Sequence, residues 1–150
     1  MQAVDSFHIV GIGIRTTNEN EQSAKDIPVL WNKFLTENIA NKIPNKSSND
    51  VYCVYTEYDD DYTKPYTAIV GYRVSNLEVP DGFKGITIEQ GNYEKFTAKG
   101  NLMLGIVWDT WINIWKSKLN RAYATDFEVY GINAQDPKNA EVDIFVGTKA

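Results

Sequence analysis

Residues 7–16, Phe7-His8-Ile9-Val10-Gly11-Ile12-Gly13-Ile14-Arg15-Thr16, alternate and are rich in branched side chains, which predicts a strand closed by the polar Asn18-Glu19-Asn20. The apolar period then changes. Ile27, Leu30, Trp31, Phe34, Leu35 and Ile39 recur in steps of three and four, predicting a helical face with Asp26 as cap and Pro28 in the first turn, ended by Pro44-Asn45. Residues 51–58 and 66–74 read as two strands of an antiparallel hairpin, joined through the polar loop 59–65. The order then repeats: a strand over 85–96 interrupted at Gly91-Asn92, a helix over 102–119, and strands over 122–130 and 142–146.

Smaller features repeat as well. Thr56-Glu57-Tyr58 ahead of Pro65 matches Phe127-Glu128-Val129-Tyr130 ahead of Pro137, and Trp31 in the first helix matches Trp108 and Trp111 in the second. The halves, about 1–76 and 83–150, are separated only by Asn76-Leu77-Glu78-Val79-Pro80-Asp81-Gly82, too short a linker for independent domains. One domain over 1–150 is expected, an α+β fold of two strand-helix-strand-strand modules about a pseudo-twofold axis. Such an axis is a natural place for a cavity, because neither half closes it alone.

The second helix brings Leu104, Trp108, Trp111 and Trp115 into a narrow arc. Packing of this arc against the sheet is one reading, and for Trp115 the stronger one; lining a cavity is the other. Composition bears on the choice. The chain has 150 residues, and four Trp with nine Tyr exceed the usual need of a core this size. These side chains join an apolar body to a polar tip, which suits a ligand cavity.

The net charge of −5 and the scattered cationic residues argue against a nucleic-acid surface. Cys53 is the single cysteine and lies in a strand-like run, where it reads as a small buried residue, and with it a reducing, cytoplasmic setting. No stretch approaches the roughly 18 apolar residues of a membrane span, and the start lacks the pattern of a signal peptide. His8 has no second His or Cys at metal-ligand spacing, and Asp59-Asp60-Asp61 lacks the alternation of a calcium loop, so no metal is expected. Gly11-Ile12-Gly13 lies inside a strand and does not open a helix, so no dinucleotide or other cofactor is expected either.

Glu128 is the conspicuous residue, a carboxylate between Phe127 and Val129. Simple alternation would place it in water and its neighbours in the core. Inside an aromatic cavity it could instead pair with a ligand cation, the rings adding stacking and cation–π attraction. A third use is general acid or base, its proton affinity raised by burial and a Tyr hydroxyl as partner. Residue types and spacing do not separate these uses.

The strand Asp126-Phe127-Glu128-Val129-Tyr130, the turn Asp136-Pro137, the closing strand Val142-Asp143-Ile144-Phe145-Val146 and the doubled element order together resemble the GyrI-like effector-binding domains of AraC- and MerR-type multidrug regulators. The resemblance spans essentially the whole chain. It implies a curved antiparallel sheet with two helices packed against it, and a glutamate, here Glu128, that meets cationic aromatic drugs inside a cavity. Tyr130 shares the strand face of Glu128 and is the next ligand-binding candidate; Phe145, Tyr93, Trp108, Trp111, Tyr55 and Glu57 follow. The first predicted strand begins within a few residues of Met1, with no helical DNA-binding segment ahead of it, so no direct operator binding is expected.

Three functions are compatible with this resemblance. The leading one is stand-alone binding of hydrophobic, cationic small molecules, for sensing or sequestration. The second is hydrolysis of cyclopropanoid or other electrophilic xenobiotics, with Glu128 as the catalytic group. The third is regulation through a separate protein partner, as in gyrase-inhibitor-like proteins.

Overall fold

The branched and aromatic runs form the strands β1 (Gln2–Val4), β2 (Phe7–Thr16), β3 (Lys46–Thr56), β4 (Tyr66–Val74), β5 (Lys84–Ile88), β6 (Gly91–Gly100), β7 (Arg121–Tyr130) and β8 (Ala140–Thr148). In the computed structural model, which describes residues 2–149, they make one 8-stranded sheet in the order β1-β6-β8-β7-β3-β4-β2-β5. Every pairing is antiparallel. The order is symmetric about the β3–β7 seam, with β4 opposite β8, β2 opposite β6 and β5 opposite β1. The duplication read from the sequence is therefore visible in the sheet.

The predicted strand over 85–96 is two strands. β5 pairs with β2 of the first half, whereas β6 pairs with β1 and β8, so the break near Gly91 is where the chain passes from one half to the other. Each short leader strand thus edges the opposite half. Gly11 and Gly71 face each other across β2 and β4, and a Cβ at Gly11 would come within 2.1 Å of the Val70 carbonyl oxygen. That close approach belongs to a strongly curled sheet.

The two faces of the sheet are filled differently. Phe7, Ile9, Tyr52, Val54, Ile88, Tyr93 and Phe127 pack into a buried cluster on one face. Rings from strands that are not neighbours meet there: Phe7 of β2 lies 5.4 Å from Phe127 of β7. The sheet therefore curls around this cluster as a half-barrel. The opposite face carries the helices α1 (Ser23–Thr36) and α2 (Ile106–Lys116). Leu30 and Phe34 of α1 pack on Val10, Ile12 and Val70, and Trp111 and Ile114 of α2 pack with Val142, Ile144 and Val146.

Both helices differ in extent from the sequence reading. α1 begins at Ser23, so Asp26 does not cap it; its carboxylate accepts from Thr16 Oγ1 at 2.8 Å and Gln22 Nε2 at 3.0 Å. Pro28 consequently lies inside the helix, where it cannot donate to the carbonyl four residues back. Ile39 is the buried residue of a separate 3-10 turn that starts after the left-handed Asn38. α2 is shorter than the predicted 102–119 because Gly105, at φ 78°, separates it from a 3-10 turn over Leu102–Leu104. Leu104 is therefore 77% exposed and leaves the tryptophan arc.

Candidate functional site

A cavity of about 220 Å³ lies between α1, α2 and the helix-bearing face of β3, β4 and β7. Its walls are aromatic. Trp31 and Pro28 come from α1, Trp108, Trp111 and Trp115 from α2, and Tyr55, Tyr66 and Tyr130 from the sheet. The rings brace one another edge to face, Trp31 against Tyr130 at 4.8 Å and Tyr55 against Trp111 at 5.6 Å, a favoured geometry for quadrupolar rings. Tyr62, in the β3–β4 loop, stacks on Trp115 at 5.2 Å and closes part of the rim. The Asn18 side chain holds this side together, accepting from Ser23 and Tyr66 and donating to the Tyr62 carbonyl.

Glu128 lies in this cavity wall and is 1% exposed. Simple alternation fails because β7 is central and both of its faces are covered, one by the curled-in aromatic cluster and one by the helices. The carboxylate is held by three neutral donors: Trp111 Nε1 at 2.6 Å and Tyr55 OH at 2.9 Å to Oε2, and Tyr130 OH at 2.7 Å to Oε1. Among the described residues no cationic side chain pairs with it. Burial pushes its pKa above the ordinary carboxyl value, and the bonds from Tyr130, Trp111 and Tyr55 pull against that rise. Tyr55 and Tyr130 are pushed well above the ordinary phenol value, first by burial and also by the neighbouring Glu128 charge, so both remain protonated donors.

A second buried carboxylate is neutralised within the protein. Asp126, two positions before Glu128 and 0% exposed, accepts from Arg121 Nη2 at 2.7 Å, Tyr58 OH at 2.5 Å and the Gly147 backbone N–H at 2.8 Å. Arg121 reaches it across a register shift in β7 that includes Tyr123 at φ 51°. The Asp126–Arg121 charges cancel locally. Glu128 is thus the one buried acidic side chain, among the described residues, that has no basic partner.

The predicted site residues divide by strand register. Glu128, Tyr130, Tyr55, Trp108 and Trp111 all line the cavity. Tyr93 and Phe145 do not, because Phe145 pairs with Phe127 and Tyr93 packs on the same ring at 5.4 Å, on the face away from the helices. Glu57 is excluded for another reason. β3 ends at Thr56, and Glu57 turns outward at φ 53° with its carbonyl accepting from Arg15. Sequence reasoning overlooked Tyr58, Tyr62, Tyr66 and Arg121, and it favoured packing for Trp115, which lines the mouth. Asp126 could have been flagged by its two-residue offset from Glu128; the loop tyrosines offered no periodic signal.

Comparison with known proteins fits this geometry. The family model described as Cass2, integron-associated effector binding protein, matches residues 1–147. YobU of Bacillus subtilis (strain 168), whose name proposes a role in transcriptional regulation, is 26% identical over 151 residues, covering 97% of this chain and 94% of that protein. The integron cassette protein VCH_CASS2 from the mobile metagenome of Vibrio cholerae is 28% identical, with a TM-score of 0.76 over 99% of this chain and 94% of the other. A structure of SAV2435 bound to tetraphenylphosphonium shares the fold at 17% identity, with a TM-score of 0.76 over 99% of this chain and 92% of that one. The chain belongs to the integron-associated effector-binding protein family, which is similar to the GyrI-like effector-binding domains.

Proposed function

We propose that the aromatic cavity binds hydrophobic organic cations, with Glu128 as their countercharge, and that the protein senses or sequesters such molecules. The observation that carries this reading is a fully buried carboxylate, held by Trp111, Tyr55 and Tyr130, that has no cationic partner among the described residues. A charge in that position costs several kcal/mol of desolvation, which a bound cation offsets in part. Three of its roughly four acceptor positions are already engaged by neutral donors. A ligand whose charge is spread over an apolar frame, such as a phosphonium or quaternary ammonium, meets that carboxylate through Coulomb attraction and the ring faces, with little need for an N–H of its own.

The fold relative whose structure is bound to tetraphenylphosphonium supports the same ligand class. Trp31, Trp108, Trp111 and Trp115 all line the cavity, so intrinsic fluorescence reports its occupancy. Titration with tetraphenylphosphonium is expected to give saturable quenching that a neutral aryl compound matches only at much higher concentration. A linear, non-saturating response to the cation would defeat the proposal.

A further inference from the structure

Arg121 is buried, its side chain 3% exposed, and it lines the same cavity as Glu128. Only Nη2 of its guanidinium finds a partner, the Asp126 carboxylate; among the described residues Nε and Nη1 are buried and meet no acceptor. Such orphaned donors are uncommon, since a buried N–H without an acceptor gives up its hydration for nothing in return. Ring packing also limits where an acceptor can approach. The guanidinium carbon lies 4.4 Å from the Tyr123 ring centre and 5.6 Å from that of Trp111, so aromatic rings occupy much of the space about the group. Its N–H bonds lie in the guanidinium plane, and an acceptor must come to them along that plane.

Trp111 links this group to the carboxylate. Its ring packs near Arg121 while its Nε1–H donates to Glu128. Asp126 is already occupied by Tyr58 and the Gly147 backbone, and it holds Arg121 by one nitrogen only; Nε and Nη1 are themselves buried, so a ligand acceptor in the cavity meets them only when the surrounding rings give way.

Resting on the cation-binding reading above, we infer that Arg121 is a second recognition pole, and that the preferred ligands carry a carboxylate or comparable strong acceptor on the same aromatic frame as their cation. The cavity then selects for amphoteric aromatic molecules over simple lipophilic cations. Glu128 reads the positive end and Arg121 the acceptor end.

Fluorescence polarisation with a matched dye pair tests this: rhodamine 110, which bears a free carboxylate, and rhodamine 123, its methyl ester, share one cationic frame. The protein is expected to bind the free acid about tenfold more tightly, the scale of a charge-assisted hydrogen bond. Arg121→Lys keeps a positive charge for Asp126 but removes the guanidinium N–H groups, and should abolish most of that preference, read as the ratio of the two dyes' Kd values so that any shared change in cavity affinity cancels. The double variant Arg121→Met with Asp126→Asn removes the pair without stranding either charge and should act the same way. Equal weakening of both dyes in the variants, or no preference for the acid in the parent protein, would overturn the second pole while leaving the cation reading intact; this is the result expected if only water meets Nε and Nη1. Failure of both dyes to bind the parent protein would overturn the two readings together.

Discussion

Replacing Glu128 by Gln isolates its charge from its shape. The amide oxygen can keep the bonds from Trp111 and Tyr55, and the Tyr130 hydroxyl can turn to accept from the amide N–H, so all three partners remain engaged. What disappears is the countercharge. A cation centre about 4 to 5 Å from the carboxylate gains about 3 to 4 kcal/mol at an effective dielectric near 20. The residual amide dipole and the cost of ionising a carboxyl whose pKa is already raised by burial reduce that figure. The net loss on substitution should be about 2 kcal/mol, or about 30-fold in Kd for tetraphenylphosphonium. Calorimetry or tryptophan quenching gives the number, with triphenylphosphine oxide as an uncharged aryl comparison whose affinity should change by less than about twofold. Equal loss for both compounds would refute the countercharge, because the substitution would then be acting through cavity shape. No loss for the cation would refute it as well.

The remaining expectations concern pH, the indole donor and the buried ion pair. A proton and a cation compete for Glu128, so cation affinity should be constant above its raised folded-state pKa and weaken by up to about tenfold per pH unit below it; Glu128→Gln should flatten the profile. Stability of the free protein should move in the opposite sense. Because the folded-state pKa is raised, the contribution of Glu128 is fully present below the ordinary value of 4.5 and is lost as pH rises through the folded value, which urea titrations of the parent and the Gln variant across that window would show by difference. Trp111→Phe removes the 2.6 Å donor, should cost about 1 to 3 kcal/mol, and should move the midpoint of the cation-binding pH profile upward. Asp126→Asn leaves Arg121 charged and buried without its carboxylate and should cost about 3 to 5 kcal/mol, read as a fall in Tm of roughly 6 to 20 °C.

Much of the architecture was legible because each strand half carries its own local signal. The alternation at 7–16 and 66–74 coincides with β2 and β4, and the repeated element order reappears as the symmetric strand order. Helix ends were less legible, since a left-handed Gly105 and a proline tolerated inside α1 override the apolar period. Glu128 was legible through the family resemblance rather than through alternation, which alone would put it in water, and face parity within β7 then carried Tyr130 to the same wall. The cavity was not legible where register between strands decides the face. Phe145 and Ile144 are equally plausible from sequence, and only the pairing of Glu128 with Ile144 shows that Phe145 turns the other way. Arg121 escaped notice because its approach to Asp126 depends on an irregularity in β7 that alternation does not foresee.

The charge state of Glu128 in the free and cation-bound protein bears most directly on the function proposed for the cavity. Labelling glutamate side-chain carboxyls with ¹³C and assigning Glu128 by its absence in Glu128→Gln would give its titration by NMR in both states. The expected result is a pKa above the ordinary carboxyl range in the free protein that falls by about 1.5 units on saturation with tetraphenylphosphonium, the proton-linked equivalent of about 2 kcal/mol. A Glu128 signal that titrates identically with and without the bound cation would contradict its role as countercharge.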